Sequence, residues 1–133
     1  MDNGFEVVVG AGTMMPPAGS AVRFPHRWTA AGVTVEADFT GAHLLHLAVA
    51  GCVLNDIYRE AAALGVELAG VRVTATGGFD TETWRSTGIS YVVEVSSAAS
   101  PGDLARLLEA VDEVAEIPRA IRAGAIVRRV PEP

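Results

Sequence analysis

The chain has 133 residues and a mass of 13.8 kDa, enough for one domain spanning 1–133 but short of two. Its net charge of −6 and pI near 4.9 exclude nucleic acid and an anionic membrane surface as natural partners. The single cysteine excludes an intrachain disulfide and a zinc cage built from several cysteines.

Half of the residues are hydrophobic and the mean hydropathy is +0.31, high for so small a chain, so a homodimer is expected before any motif is considered. All ten basic residues are arginine, a bias from which no function follows. Residues 1–30 lack a basic start followed by an apolar run and a small-residue cleavage site. A cytoplasmic protein with a reduced thiol is therefore expected.

Residues 5–9 (Phe-Glu-Val-Val-Val) predict a strand, and 10–20, with Pro16-Pro17 in the middle, a turn-rich stretch. Residues 21–28 predict a second strand with an edge or bend at Pro25, and 33–39 a third, with Val33, Val35, Ala37 and Phe39 on one face. A long helix follows from Thr40 as N-cap to Leu64, stopped by Gly65. Residues 66–76 read as a strand broken at Ala69-Gly70, 77–87 as a polar loop, and 88–97 as the clearest alternating strand. Ser100-Pro101-Gly102-Asp103 starts a helix to about Val114. A short turn at 118–122 stops at Gly124, and 125–130 reads as a last strand. The sum is an α+β domain with two main helices against antiparallel sheet.

The long helix is the organising element. From Leu44 to Leu54 its only polar residues are His46 and Cys52, and an all-apolar helix is a membrane span or the centre of a core. A span needs about 20 apolar residues, and this run soon reaches Asn55, Asp56, Arg59 and Glu60. The helix is therefore expected to be central and buried, with Cys52 in its middle.

Cys52 is the first candidate, either a reactive thiolate or a small buried hydrophobe. Asp56, one turn on, raises a thiol pKa, and Arg59, two turns on, has to fold back to help. His43 and His46, three apart, form a possible metal pair with no third ligand in sight; as alternatives, His43 sits on a polar first turn and His46 in a core or interface. Gly10-Ala11-Gly12 lacks the rest of a dinucleotide fingerprint and is a turn. Arg23, His26, Arg27 and Trp28 either supply a cation to a partner's thiol or form a solvated edge. The acidic residues show no spacing that calls for acid–base work.

The segment 40–52, ending Leu-Ala-Val-Ala-Gly-Cys, resembles the start of the central helix in the OsmC/Ohr family of osmotically inducible and organic hydroperoxide resistance proteins. There a Ser/Asn-Pro-Glu-x-Leu-x-x-Ala-x-x-Ala-Gly/Ala-Cys pattern ends at the peroxide-reacting cysteine. The run 62–73, Ala-Ala-Leu-Gly-Val-Glu-Leu-Ala-Gly-Val-Arg-Val, is similar to the passage that follows it in that family. The resemblance implies an OsmC-like fold, an antiparallel sheet wrapped around a long buried central helix in an intertwined homodimer. It implies a thiolate at Cys52 that attacks an organic hydroperoxide to give a sulfenic acid, with no cofactor.

Three departures accompany it. No resolving cysteine exists, Ala115 standing at the nearest match, so an external thiol reductant is required. Ala42 replaces the glutamate ten residues before the cysteine. Residues 1–22 hold no arginine, leaving Arg23 or Arg27 as substitutes. Without a cation the buried thiol is expected to titrate at or above about 8.5. The functional expectation is a one-cysteine organic hydroperoxide reductase. The alternatives are a non-catalytic relative that binds a small apolar ligand or serves as a dimeric scaffold, and a metal-binding role for His43 and His46.

Overall fold

The computed structural model describes residues 4–17, 19 and 21–131; Ala18 and Ser20 of the turn-rich stretch, and the residues at either end, lie outside it. The described elements are β1 (Val7–Gly12), β2 (Val22–Phe24), β3 (Val33–Glu36), α1 (Gly41–Leu64), β4 (Gly70–Phe79), β5 (Ser86–Ser96), α2 (Pro101–Val114) and α3 (Glu116–Ala123). The strands make one antiparallel sheet in the order β2-β3-β1-β4-β5. This is the α+β architecture expected.

Period-two alternation builds the core. The β1–β4 register sets Val7 opposite Ala75, Val9 opposite Val73 and Ala11 opposite Val71, and all six are buried. On α1, Val49, Val53, Ile57 and Ala61 recur every fourth residue and are buried with them. Leu107 and Val111 on α2 complete the cluster. Burying Leu107 alone is worth about 1.5–3 kcal/mol. The outward side of β4 and β5 is polar apart from the exposed Val92, and there Arg72 holds Glu94 through two hydrogen bonds of 2.7 and 2.8 Å.

The helix ends fall where the caps predict. Thr40 Oγ1 accepts the His43 N–H at 3.1 Å, and Gly65 closes α1 at φ 71°, in the left-handed region that glycine tolerates. Ser100 Oγ accepts the Asp103 N–H at 3.1 Å, with Pro101 first in α2. Gly124 ends α3 at φ 77°.

Several expectations need correction. Gly10, Ala11 and Gly12, expected as a turn, are the last residues of β1 and pair with β4, and the short turn expected at 118–122 is the helix α3. The stretch 125–130 forms no strand with the described residues. It follows α3 without regular structure, with Ile126 and Val127 each 92 % exposed, because alternation supplies a pairing surface but does not bring the segment to either edge strand, β2 or β5. The loop expected at 77–87 is only a tip: Gly77, Gly78 and Phe79 continue β4, and Ser86 pairs with Phe79 across a bulge. The third strand ends at Glu36, so Phe39 stands 89 % exposed before the N-cap instead of facing the core. Finally, α1 is not covered on every side within this chain, since Leu44 and Ala48 remain exposed on the flank away from the sheet. No helix among the described residues is long and apolar enough to cross a membrane.

Candidate functional site

Cys52 projects from the middle of α1 and is 8 % exposed. One helical turn on, Asp56 lies on the same face, 2 % exposed, and the thiol donates toward its Oδ2 across 4.0 Å. Facing both is the start of α3. The chain leaves α2 at Ala115, which is buried, and turns at once into Glu116-Ile117-Pro118. The proline costs nothing there because first-turn N–H groups have no helical partner. The freed N–H groups of Ile117 and Glu116 are directed at the Cys52 sulfur.

The electrostatics are contested. Burial pushes the Cys52 thiol up, and the Asp56 and Glu116 carboxylates push the same way; only the two amides pull it down, and the net direction is upward. Burial also holds the Asp56 carboxyl above its ordinary value. Arg59, with its guanidinium 3.3 Å from Oδ1, opposes this, while Glu116 and Glu60 add to it. Thus Arg59 does fold back, but toward Asp56. The Cys52, Asp56 and Glu116 ligand atoms lie within 4.8 Å of one another, a donor set that a divalent cation can use. Arg59 and the α3 amides already face those anionic atoms.

Asp56 and Glu116 form part of the wall of a cleft of about 370 Å³, shared with His26, Arg27, Trp28 and Arg59. A second, more apolar cleft of about 250 Å³ lies on the other side of α3, between Val49, Ile89, Tyr91, Pro118 and Ile121. The thiol therefore sits on a helix flanked by a charged and an apolar opening.

The pattern of the OsmC-like protein family matches residues 34–128, most of the chain, from β3 through the end of α3. The chain belongs to the OsmC-like family. Among solved structures it is similar to an OsmC-like protein from Mycoplasma pneumoniae, at 14 % identity and TM-score 0.58, over 69 % of this chain and 79 % of that one. It is also similar to an OsmC-like hydroperoxide resistance protein from Jannaschia sp. CCS1, at 17 % identity and TM-score 0.52, over 94 % and 92 % of the two chains. At such identities these likenesses show the fold alone. No curated protein matches the sequence.

Within this OsmC-like chain the expected site residues are distributed unevenly. Arg27 lines the same cleft as Asp56 and Glu116, its guanidinium 5.0 Å above the Trp28 ring. Arg23 lies on the edge strand β2, opposite Thr34, exposed. Ala42 contributes its carbonyl to His46, whose Nδ1 donates across 2.6 Å. His43 is held by Thr40 Oγ1 at 2.6 Å, with Asp38 3.8 Å from its other nitrogen. Both histidines pack with Phe5. The structure gives them structural partners, and neither belongs to the Cys52 cluster.

Sequence reasoning missed the role of 115–117. Its signal was present: an acid followed by proline two residues later, after a helix had ended, marks a new helix start whose amides must point somewhere.

Proposed function

We propose that this protein is a one-cysteine, thiol-dependent organic hydroperoxide reductase with Cys52 as the attacking group. The observation that carries the reading is the sulfur's position before the first-turn amides of α3, which favour negative charge where a thiolate forms. Family membership and the likeness to a hydroperoxide resistance protein support the same chemistry. The sulfur attacks the terminal oxygen of R–O–O–H, the O–O bond breaks, and Cys52 becomes a sulfenic acid while the alcohol leaves. With one cysteine in the chain, an external thiol condenses with the sulfenic acid, releasing water, and a second thiol restores Cys52. The apolar cleft beside Pro118 suits the organic part of such a peroxide. Arg59, paired with Asp56, is the basic residue nearest the reaction; Arg27 lines the same charged cleft, and Arg23, on an exposed edge, acts only across an interface.

The same reading includes a homodimer. Support comes from the uncovered flank of α1, the exposed Val22 and Phe24 on the edge strand, and the unpaired apolar tail with Ile126, Val127 and Val130.

The test is exposure of the protein to cumene hydroperoxide across pH, followed by intact mass with a sulfenic-acid trap. One trapped oxygen equivalent is expected, reversed by thiol and abolished in Cys52→Ser. A second reading, a family member that only binds a small apolar ligand, is favoured by the upward shift of the thiol. An inert Cys52 at neutral pH would establish that reading instead.

A further inference from the structure

Resting on the peroxidase reading, we propose that Asp56 is a catalytic base and acid for Cys52. Its Oδ2 takes the thiol proton as the sulfur attacks, and returns it to the departing alkoxide. The residues impose the need. A thiol held in its protonated form by burial and two carboxylates is a poor standing nucleophile, so its proton must leave during the attack. Asp56 Oδ2 is the acceptor at the sulfur, 4.0 Å away and one helical turn on, a separation that closes when a substrate draws the groups together. Its other oxygen is fixed by Arg59 at 3.3 Å, which leaves Oδ2 turned to Cys52, with the Glu116 carboxyl sharing a hydrogen bond with Asp56 from α3. Burial raises the basicity of this carboxylate above that of a surface aspartate.

The step balances. The S–H proton passes to Asp56, an S–O bond forms, the O–O bond breaks, and the alkoxide RO⁻ takes the proton from Asp56 and leaves as ROH. The products are the sulfenic acid and the alcohol, with Asp56 ionised as at the start. The charged groups around Asp56 are Arg59 and Glu60 on α1 and Glu116 on α3, with Arg27 and the titratable His26 across the cleft.

The decisive experiment compares Asp56→Asn with the unmodified protein, because the two roles open to Asp56 predict opposite signs. Asn removes a negative charge from beside the sulfur, so the thiolate absorbance must appear at lower pH in the variant. If Asp56 only burdens the thiol, peroxide reduction at neutral pH becomes faster. If it moves the proton, reduction slows by about 100-fold although more thiolate is present. An unchanged or faster rate overturns the proposal while leaving the peroxidase reading intact. Failure of the unmodified protein to react overturns the peroxidase reading and the proposal together. Should the variant not fold, the unmodified protein decides. Its oxidation rate must rise with ionisation of the Asp56 carboxyl, well below the pH at which the thiolate absorbance appears. A rate that tracks the thiolate absorbance overturns the proposal.

Discussion

The start and the middle of α1 each carry a pair of polar, ligand-type side chains, and the two pairs meet opposite fates. At the start, His43 and His46 share neighbouring turns, yet each is engaged locally: His43 by Thr40, His46 by the Ala42 carbonyl, both against Phe5. In the middle, Cys52 and Asp56 share a face and meet a foreign element, the first turn of α3. Helical spacing set both pairs side by side. What lies across from each pair turned one into packing and the other into a cluster of thiol, carboxylates and helix-start amides.

The largest effect is expected where the histidine end touches the sheet. Gly77 of β4 lies so close to the His46 ring and the Gly88 carbonyl that a Cβ would overlap both. Gly77→Ala should cost about 3 kcal/mol, read from the urea midpoint, through backbone displacement and a disturbed ring. The thiol titration of the folded fraction should stay where it was. If it moves, the two regions are coupled and the contrast fails.

Tyr91 lies between the regions, walling the apolar cleft and donating to Asp112 Oδ1 at 2.6 Å. Tyr91→Phe should cost about 1 kcal/mol at neutral pH. Burial, reinforced by that hydrogen bond, pushes the Tyr91 phenol up to about 12. A raised phenol contributes stability below its unfolded value near 10 and loses it as pH rises toward 12. The difference between the unmodified protein and Tyr91→Phe should therefore shrink across that window in denaturation curves. A constant difference would show that the hydrogen bond does not form.

A smaller change sharpens the cysteine region. Glu116 heads α3 and raises the thiol, so Glu116→Gln should move the thiolate absorbance to lower pH, at a stability cost of about 0.5 kcal/mol. No movement would mean that the start of α3 does not face the sulfur. The smallest effect belongs to His43→Ala. His43 is held by Thr40, the exposed Asp38 and an edge-on contact with the Phe5 ring, all near the surface, and its loss should change stability by about 0.5 kcal/mol or less in the same urea assay. Addition of zinc should leave its melting temperature unmoved, whereas a marked rise abolished by the substitution would restore the metal reading.

Much of the fold was legible because the signals are local. Thr40 and Gly65 bounded α1, and Ser100-Pro101 opened α2, through hydrogen bonds that span three to five residues. Alternation at β5 identified a strand wherever its partner lay. The errors came where local signals conflict or stop short. Gly77-Gly78 read as loop because glycine is poor in strands, yet the close approach of His46 requires a residue without a side chain there. Residues 125–130 read as a strand because they alternate, but alternation cannot supply an edge to pair with.

The candidate site divides in the same way. The sequence by itself determined that Cys52 is the only thiol, that Asp56 shares its face and that no resolving cysteine exists, since counting and helical period require nothing beyond the chain. Only the tertiary structure decided that α3 begins against the sulfur, that Arg59 turns to Asp56, and that Arg27 reaches the same cleft while Arg23 stays on an outer edge. Those contacts join residues far apart in sequence, and their electrostatics depend on burial and on which atoms face one another. Neither quantity is encoded within a helical turn.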